Sequence, residues 1–347
     1  MMQRVIQQDI ADRLGVSKMT VSRALRNDPA ISAATRERVR RAADEMGYAP
    51  NPLVAALMSN LRRGRTPPVG PRTIALIHGH GDPQSWEHNP ATSALLAYYR
   101  GAVRAAAGLG FKAESFAVVP GMPETMSRVL RILRARGVRA AAFMPLGGEV
   151  RLSPEDLATF ALNDVGFSLP EPALHRTAPD HFQNARRAVT EGLARGRRRI
   201  GIVIPTALAR PIRDRWIGGY LTALHDGPPG CGLPLVEVAD GPIPRNGPLR
   251  IWRGAWRPDW VIHSGNWAYD AVREAGMAAD RICCDLNIHA DSKARRGIDQ
   301  RHEEVGVEAV HSLVQQLNAA LFGVPPCPRI TLVLGRWTEP AAPARPR

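Results

Sequence analysis

The run Asp9-Ile10-Ala11-Asp12-Arg13-Leu14-Gly15-Val16-Ser17-Lys18-Met19-Thr20-Val21-Ser22-Arg23-Ala24-Leu25 constrains this chain more than any other stretch. Ile10, Ala11 and Leu14 fall at helical spacing and form one apolar face. Gly15 can take the positive φ that ends a helix and turns the chain. Ser17 then stands where an N-cap belongs, its hydroxyl able to accept from the next turn's backbone N–H. Val21, Ala24 and Leu25 give the second helix a buried face, and Lys18, Met19, Ser22 and Arg23 fall outside it. The pattern is a helix-turn-helix whose second helix can lie in a DNA major groove. A third helix starts at Ser32, turns Val39, Ala42, Ala43 and Met46 inward and stops at Gly47, and Ile31 closes the core from the loop. Three short helices of this size make a marginal but self-standing domain.

The residues after it sharpen the reading. Asn51 is an N-cap and Pro52 occupies the first helical position, where a missing N–H costs nothing. The helix they start ends near Met58, about two turns on, and is too short to be stable alone in water. Leu61-Arg62-Arg63-Gly64-Arg65-Thr66-Pro67-Pro68 is basic, then Pro-broken, and reads as a linker.

Charge agrees with a nucleic-acid partner. Lys and Arg number 46 against 32 Asp and Glu, a formal net charge of +14. Residues 1–65 hold twelve of the basic residues and six acidic ones, so the excess is densest where DNA would lie. An Arg-rich composition with solvated faces would look similar, so charge alone does not decide. The start, Met1-Met2-Gln3-Arg4-Val5-Ile6-Gln7, is no signal peptide, and no eighteen-residue apolar run occurs, so a cytoplasmic, nucleoid-associated protein without a membrane partner is expected. Cys231, Cys283, Cys284 and Cys327 form no CxxC pair, and neither a zinc site nor a disulfide framework is expected.

Beyond Pro71, apolar runs alternate with helical patterns. Strands are expected at 73–78, 113–119 and 140–144, with helices at 93–109 and 123–136 between them. This βαβαβ order implies a parallel sheet with right-handed crossovers. The rhythm repeats with helices at 184–195, 216–224 and 269–275 and strands at 199–204, 235–238, 260–263 and 281–286. Two such lobes make a cleft, and ligands of open parallel sheets bind beyond the strands' carboxyl ends.

The N-terminal arrangement resembles the lactose-repressor/galactose-repressor (LacI/GalR) family of bacterial transcription regulators. Asp9-Ile10-Ala11, Gly15-Val16-Ser17, Thr20 to Leu25, Ile31-Ser32, Thr35-Arg36, Gly47-Tyr48 and Pro50-Asn51 carry the resemblance without a gap. Thinner likeness continues at Asp180 with Gly196 to Gly201, at Arg215-Trp216-Ile217-Gly218-Gly219-Tyr220, at Gly297-Ile298-Asp299-Gln300 with Val305-Gly306 and Ala309-Val310 read as a late helix, and at Leu334-Gly335-Arg336-Trp337. Ile6-Gln7 stands where the family often has a capping Thr or Ser, and Trp216 stands at the family's sugar-binding Arg position, with Arg215 beside it.

The resemblance implies a three-helix helix-turn-helix DNA-binding domain at 1–49 and a hinge helix and linker at 50–70. It also implies a two-lobed, periplasmic-binding-protein-like α/β domain with parallel sheets at 71–340 and a disordered tail at 341–347. The first lobe is expected at about 71–170 plus 290–325 and the second at about 171–289 plus 326–340. It implies a homodimeric repressor on a near-palindromic double-stranded operator, answering to a sugar or sugar derivative. The DNA-facing residues expected are Ser17, Lys18, Met19, Thr20, Ser22, Arg23, Asn27, Tyr48, Asn51 and Leu57, with Leu57 as a minor-groove wedge. The effector residues expected are His78, Trp86, Arg215, Trp216, Asn266, Trp267, Asp285 and Asn287. The indoles can stack on apolar sugar faces, although Trp is commonly core packing. His78-Gly79-His80-Gly81 reads as a strand-end loop whose Gly residues allow close backbone approach, not as a metal site.

Two other readings stay open. One is a ligand-independent regulator with a degenerate cleft. The other is an α/β enzyme fused to a DNA-binding head, since fold alone does not exclude catalysis. No GxSxG, Walker GK[ST], HExxH or GxGxxG pattern is found, so no catalytic residue, metal or cofactor is assigned.

Overall fold

The computed structural model describes residues 5, 7–25, 28, 30–46, 48, 72–88, 92–148, 150, 152–167, 169–205, 212, 214–232, 236–238, 248–289, 292–294 and 296–339. They divide into two compact units, residues 1–69 and 70–347.

The first unit holds helices α1 (Gln7–Leu14), α2 (Lys18–Ala24) and α3 (Ala33–Glu45). Gly15 turns between the first two with φ +63°, a conformation that a side chain would strain. Ser17 and Ser32 cap the next two helices, accepting from the backbone N–H groups of Thr20 and Thr35. Ile10, Ala11, Val21, Ala24, Val39, Ala42 and Ala43 are buried together, with Leu14, Leu25, Ile31, Met46 and Tyr48 packed around them. Gly47, the 51–58 segment and the basic linker lie outside the described residues.

In the second unit, strands β1 (Arg72–His78), β2 (Phe111–Ala117), β3 (Ala140–Phe143), β4 (Ala161–Val165), β5 (Arg176–Pro179) and β11 (Ile330–Val333) form one sheet in the order β11-β5-β4-β3-β1-β2, parallel throughout. A second sheet has the order β12-β10-β9-β8-β6-β7, from β6 (Ile200–Pro205), β7 (Val236–Val238), β8 (Trp260–His263), β9 (Cys283–Asp285), β10 (Gly297–Asp299) and β12 (Arg336–Thr338). Only its edge strand β12 runs antiparallel to its neighbour.

Strand alternation splits each core in two, because successive side chains point to opposite faces. On β1, Ile74 and Leu76 face helix α4 (Ser93–Gly108), while Ala75 and Ile77 face α5 (Pro123–Ala135). The stripe on α5 is the expected one, with Met126, Val129, Leu130 and Leu133 all buried. In the second lobe, Ile200, Ile202 and Ile204 meet α6 (His181–Ala194) and α7 (Arg215–His225), while Val203 and Val261 meet α8 (Gly265–Glu274). Helix α9 (His302–Ala319) packs against α4 and carries Val305, Ala309, Val310 and Leu313 into the first lobe.

The chain passes between the lobes three times, near residues 180, 300 and 335. Three strands therefore fall across the lobe limits drawn from sequence. β5 and β11 belong to the first sheet and β10 to the second. Gly297–Asp299 is a strand and not the start of the late helix, which begins only at His302. Gly297 shows why: its φ is +154° and an added Cβ would meet Asp285 O at 1.9 Å, so the chain there runs hard against β9. The segment expected as a strand at 281–286 is a helical turn to Ile282 followed by β9. Strands β4 and β5 were not expected from the sequence.

Candidate effector cleft and DNA-reading helix

On the head, the cap at Ser17 fixes where α2 begins. Its Oγ accepts from Thr20 N at 3.0 Å and lies 2.9 Å from Thr20 Oγ1. Lys18, Met19 and Arg23 lie on the outer face, and Met19 is 69% exposed. Arg23 also braces the first unit, because its Nε donates to Asp28 Oδ2 at 3.0 Å and ties the loop before α3 to α2. Arg36 Nη1 donates to Asp28 O at 3.1 Å from the other side. Tyr48 is half-buried on the head core, its N–H donating to Ala43 O. Asn27, Asn51 and Leu57 lie outside the described residues.

In the second unit the candidate side chains fall into three groups at the carboxyl ends of the strands. At the end of β1, His78 is fully buried, with its ring edge-on to Trp86 at 4.7 Å. Trp86 is itself buried, packs edge-on to Tyr99 and donates its indole N–H to His80 O at 2.9 Å. Gly79 is needed here, since a Cβ would sit 1.6 Å from Leu146 O. At the end of β9, Asp285 is fully buried, and its Oδ1 accepts from Gly265 N at 3.2 Å and Asn287 N at 2.9 Å. Asp285 Oδ2 and Asn287 Oδ1 are buried acceptors without a protein donor among the described residues. Asn266 Oδ1 accepts from Lys293 N at 2.7 Å, and Trp267 is 37% exposed.

The third group joins the lobes. Arg215 and Trp216 open α7. The Arg215 guanidinium lies 4.5 Å from the centroid of Phe167, a ring just past β4 in the other lobe. Trp216 is buried, edge-on to His181 at 5.1 Å, and His181 lies 6.0 Å from Phe167. Arg176 reaches the same phenyl ring at 4.8 Å while its Nε donates to the buried Asp164 Oδ2 at 2.6 Å. His302, first residue of α9, is buried between Tyr98, edge-on at 4.8 Å, and His289, stacked at 5.3 Å. Phe167, His181, His302 and the Asp164–Arg176 pair were not among the effector residues expected from the sequence.

Burial and the nearby Arg215 charge hold His181 down at about 3. Burial, then His289 and His181, push His302 well below an ordinary imidazole. Burial and His80 lower His78 to about 4, and burial lowers His263. All four are neutral at pH 7. In the unfolded chain an imidazole titrates near ~6.5, so acid protonates the unfolded state first. Stability is full above that pH and falls as pH drops from about 6.5 towards 4 and 3. The thermal midpoint of the second unit is therefore expected to decline across that window; a flat profile from about pH 7 to 4.5 in calorimetry would count against these buried neutral rings.

The described geometry defines a class of protein: a chain with a helix-turn-helix unit and a two-lobed α/β unit. Residues 7–51 match the family model described as bacterial regulatory proteins, lacI family. The HTH-type transcriptional regulator GntR of Escherichia coli (strain K12) is 56% identical over 48 residues, covering 14% of this chain and 14% of that protein. The regulator PtxS of Pseudomonas plecoglossicida is 36% identical over 85 residues, 22% of this chain and 24% of the relative. The matched part thus spans less than a quarter of the curated relatives' length. Among solved structures, the CelR–cellobiose complex covers 96% of this chain and 98% of its own, with TM-score 0.54 and 18% identity. The lac repressor dimer bound to operator and the anti-inducer ONPF covers 97% and 98%, with TM-score 0.53 and 18% identity. Those likenesses show the fold alone. No described helix is long and apolar enough to cross a membrane.

Proposed function

We propose that this chain is a sequence-specific DNA-binding transcription regulator, a homodimeric repressor whose cleft takes a carbohydrate-like small molecule. The observation that carries it is the capped helix α2 presenting Lys18 and the exposed Met19 at its first turn. Recognition helices meet base edges with their N-terminal residues, and a methionine there can lie on thymine methyl groups while lysine reaches guanine acceptors. Ser17, Thr20, Ser22, Arg23, Asn27, Tyr48 and Asn51 complete the surface, with Leu57 as its minor-groove element. Two heads in a dimer read two half-sites, so the operator is near-palindromic. The named relatives are transcriptional regulators, and one structure of the same fold is a complex with cellobiose. Both support this reading over an enzyme. For the cleft, the support is a mixed set of buried groups without a protein partner among the described residues. Asp285 Oδ2 and Asn287 Oδ1 can accept, and Trp216 Nε1 can donate. A polyhydroxylated ligand satisfies both kinds, because each hydroxyl donates and accepts.

The test is selection of binding sites from random DNA. Wild type is expected to return a two-fold symmetric consensus. Lys18→Ala with Met19→Ala is expected to change the half-site sequence, at about 1–3 kcal/mol per altered base pair, with non-specific affinity nearly constant. An unchanged consensus in the double variant would show that these residues do not read bases.

A further inference from the structure

The strands of the second sheet carry their cleft residues at their carboxyl ends. At the opposite ends, four neighbouring strands begin beside arginine. Arg197-Arg198-Arg199 leads directly into β6, Arg257 stands three residues before β8, Arg281 two before β9 and Arg296 directly before β10. These strands run parallel in the order β10-β9-β8-β6, so the side chains gather in a row along the pole of the sheet that faces away from the cleft. Neighbouring strands lie about 4.8 Å apart, which makes the row about 14 Å long. Arg198, Arg199, Arg257 and Arg281 are exposed, and Arg197 and Arg296 are half-buried.

The row is held in place by backbone carbonyls. Arg199 Nε donates to Arg257 O at 2.6 Å, Arg198 Nη1 to Arg197 O at 3.2 Å and Arg296 Nη1 to Arg281 O at 3.4 Å. The Arg296 guanidinium also lies 5.6 Å from the Trp260 ring centroid. A guanidinium has five N–H donors, so each of these keeps most of them for another acceptor. The acids of this pole are engaged elsewhere. Glu191 and Glu339 both pair with Arg195, and Asp226 pairs with Arg186. Asp259 Oδ1 accepts from the backbone N–H groups of Arg198 and Arg199 at 3.2 and 2.9 Å, and its Oδ2 is 3.8 Å from Arg199 Nη2. Asp280 accepts from the Tyr269 hydroxyl, and the exposed Glu274 follows Arg273 at the end of α8. Among the described residues, Arg197, Arg198, Arg257, Arg281 and Arg296 have no ion pair.

We propose that this row of arginines is a second DNA-contacting surface, which holds the phosphate backbone of a duplex without reading its sequence. The guanidinium groups are strung along the ends of the strands and do not converge on one point, so they suit a line of charges and not a small anion. Duplex DNA carries one charge per about 1.7 Å of its axis, so a row about 14 Å long faces about eight phosphates. Guanidinium matches phosphate with paired N–H groups, and side chains already held by carbonyls lose less freedom when they bind. Contacts to phosphate position a protein on DNA and carry no sequence information, so the surface adds non-specific affinity alone. The proposal goes beyond the regulator reading, which assigns DNA to the first unit and only a small molecule to the second.

The experiment uses the full chain and a labelled duplex of random sequence, with affinity read by fluorescence anisotropy over a series of salt concentrations. Arg198→Gln with Arg281→Gln removes two charges from the row. Arg128→Gln with Arg131→Gln removes two charges from the exposed face of α5, where these arginines likewise have no ion pair among the described residues. The two double variants have the same net charge and differ only in where it was lost. Each phosphate contact contributes about 0.9 to the slope of log affinity against log salt, so the row variant is expected to lose about two from that slope. Its deficit against wild type then shrinks by about tenfold between about 50 and 200 mM salt, while the α5 variant keeps the wild-type slope. Should the double variant fold poorly, Arg257→Gln alone is expected to lower the slope by about one. A wild-type slope in the row variants, or an equal loss in the α5 variant, would overturn the proposal and leave the arginines as a solvated surface. Site selection with the row variant scores the first unit separately. The wild-type consensus is expected from it, and a chain that shows the slope change but selects no consensus would keep this surface and lose the operator reading.

Discussion

Replacing Asp164 by Ala is expected to destabilise the second unit by about 3–5 kcal/mol, the scale for breaking a buried ion pair from one side. Asp164 is fully buried and Arg176 is 7% exposed. Arg176 Nε donates to the carboxylate at 2.6 Å, and Nη2 donates to Leu169 O at 2.6 Å. Its guanidinium also lies 4.8 Å from the Phe167 ring. Without Asp164 the cation keeps one carbonyl and one ring face, which do not replace a carboxylate in a place water does not reach. Phe167 is the ring that Arg215 approaches from the other lobe, so the loss extends to the junction of the lobes. Asp164→Leu with Arg176→Met removes both charges and is expected to cost far less than the single change. Urea unfolding of the three proteins decides it: a single variant within about 1 kcal/mol of wild type, or a double variant as unstable as the single, would show that the pair is not what holds β4 to β5.

Adding one methyl group at Gly101 or Gly306 is expected to cost about 3 kcal/mol or more, at or above the upper end for overpacking. These glycines are where α4 and α9 cross. A Cβ on Gly101 would lie 1.9 Å from Glu303 O, and one on Gly306 would lie 2.1 Å from Tyr98 O. Both obstacles are backbone, so no rotamer change relieves them and the helices must separate. Separation opens gaps around Leu95, Tyr98, Ala102, Val305 and Ala309, which the helices share with the first sheet. Once the helices have parted, the second methyl group meets less resistance. Gly101→Ala with Gly306→Ala should therefore cost clearly less than the two singles added together. Strict additivity in chemical denaturation would mean that each site relaxes alone and that the crossing is not a shared contact.

What could be read from sequence was local and repeated. Ser17 and Ser32 announce their helices by spacing, Gly15 by its turn, and the Met126, Val129, Leu130, Leu133 stripe by its period. Strands β4 and β5 stayed hidden because their interior positions hold Asn163, Asp164, Arg176 and Thr177. Such residues read as loop until the partner across the sheet is known. Gly297–Asp299 is too short to show an alternation at all. The junction was hidden for a related reason. Arg215 and Trp216 could be singled out along one segment, but Phe167 and His181 reach them from separate segments of the chain. Sequence spacing carries no signal of that convergence.

The three passes between the lobes also set the order in which the molecule can be made. The head closes its core using residues up to Tyr48 alone. The first lobe begins at Arg72 yet lacks helix α9 and edge strand β11 until Val333 has left the ribosome. Domains fold as units during synthesis, N-terminal first. For most of its translation this chain is thus a finished three-helix unit followed by an unfinished second one. A nonsense codon anywhere between the linker and residue 333 leaves that same species behind permanently. Its three-helix unit is intact and its lobes incomplete, so it presents unpaired sheet edges and bare apolar faces to chaperones and proteases.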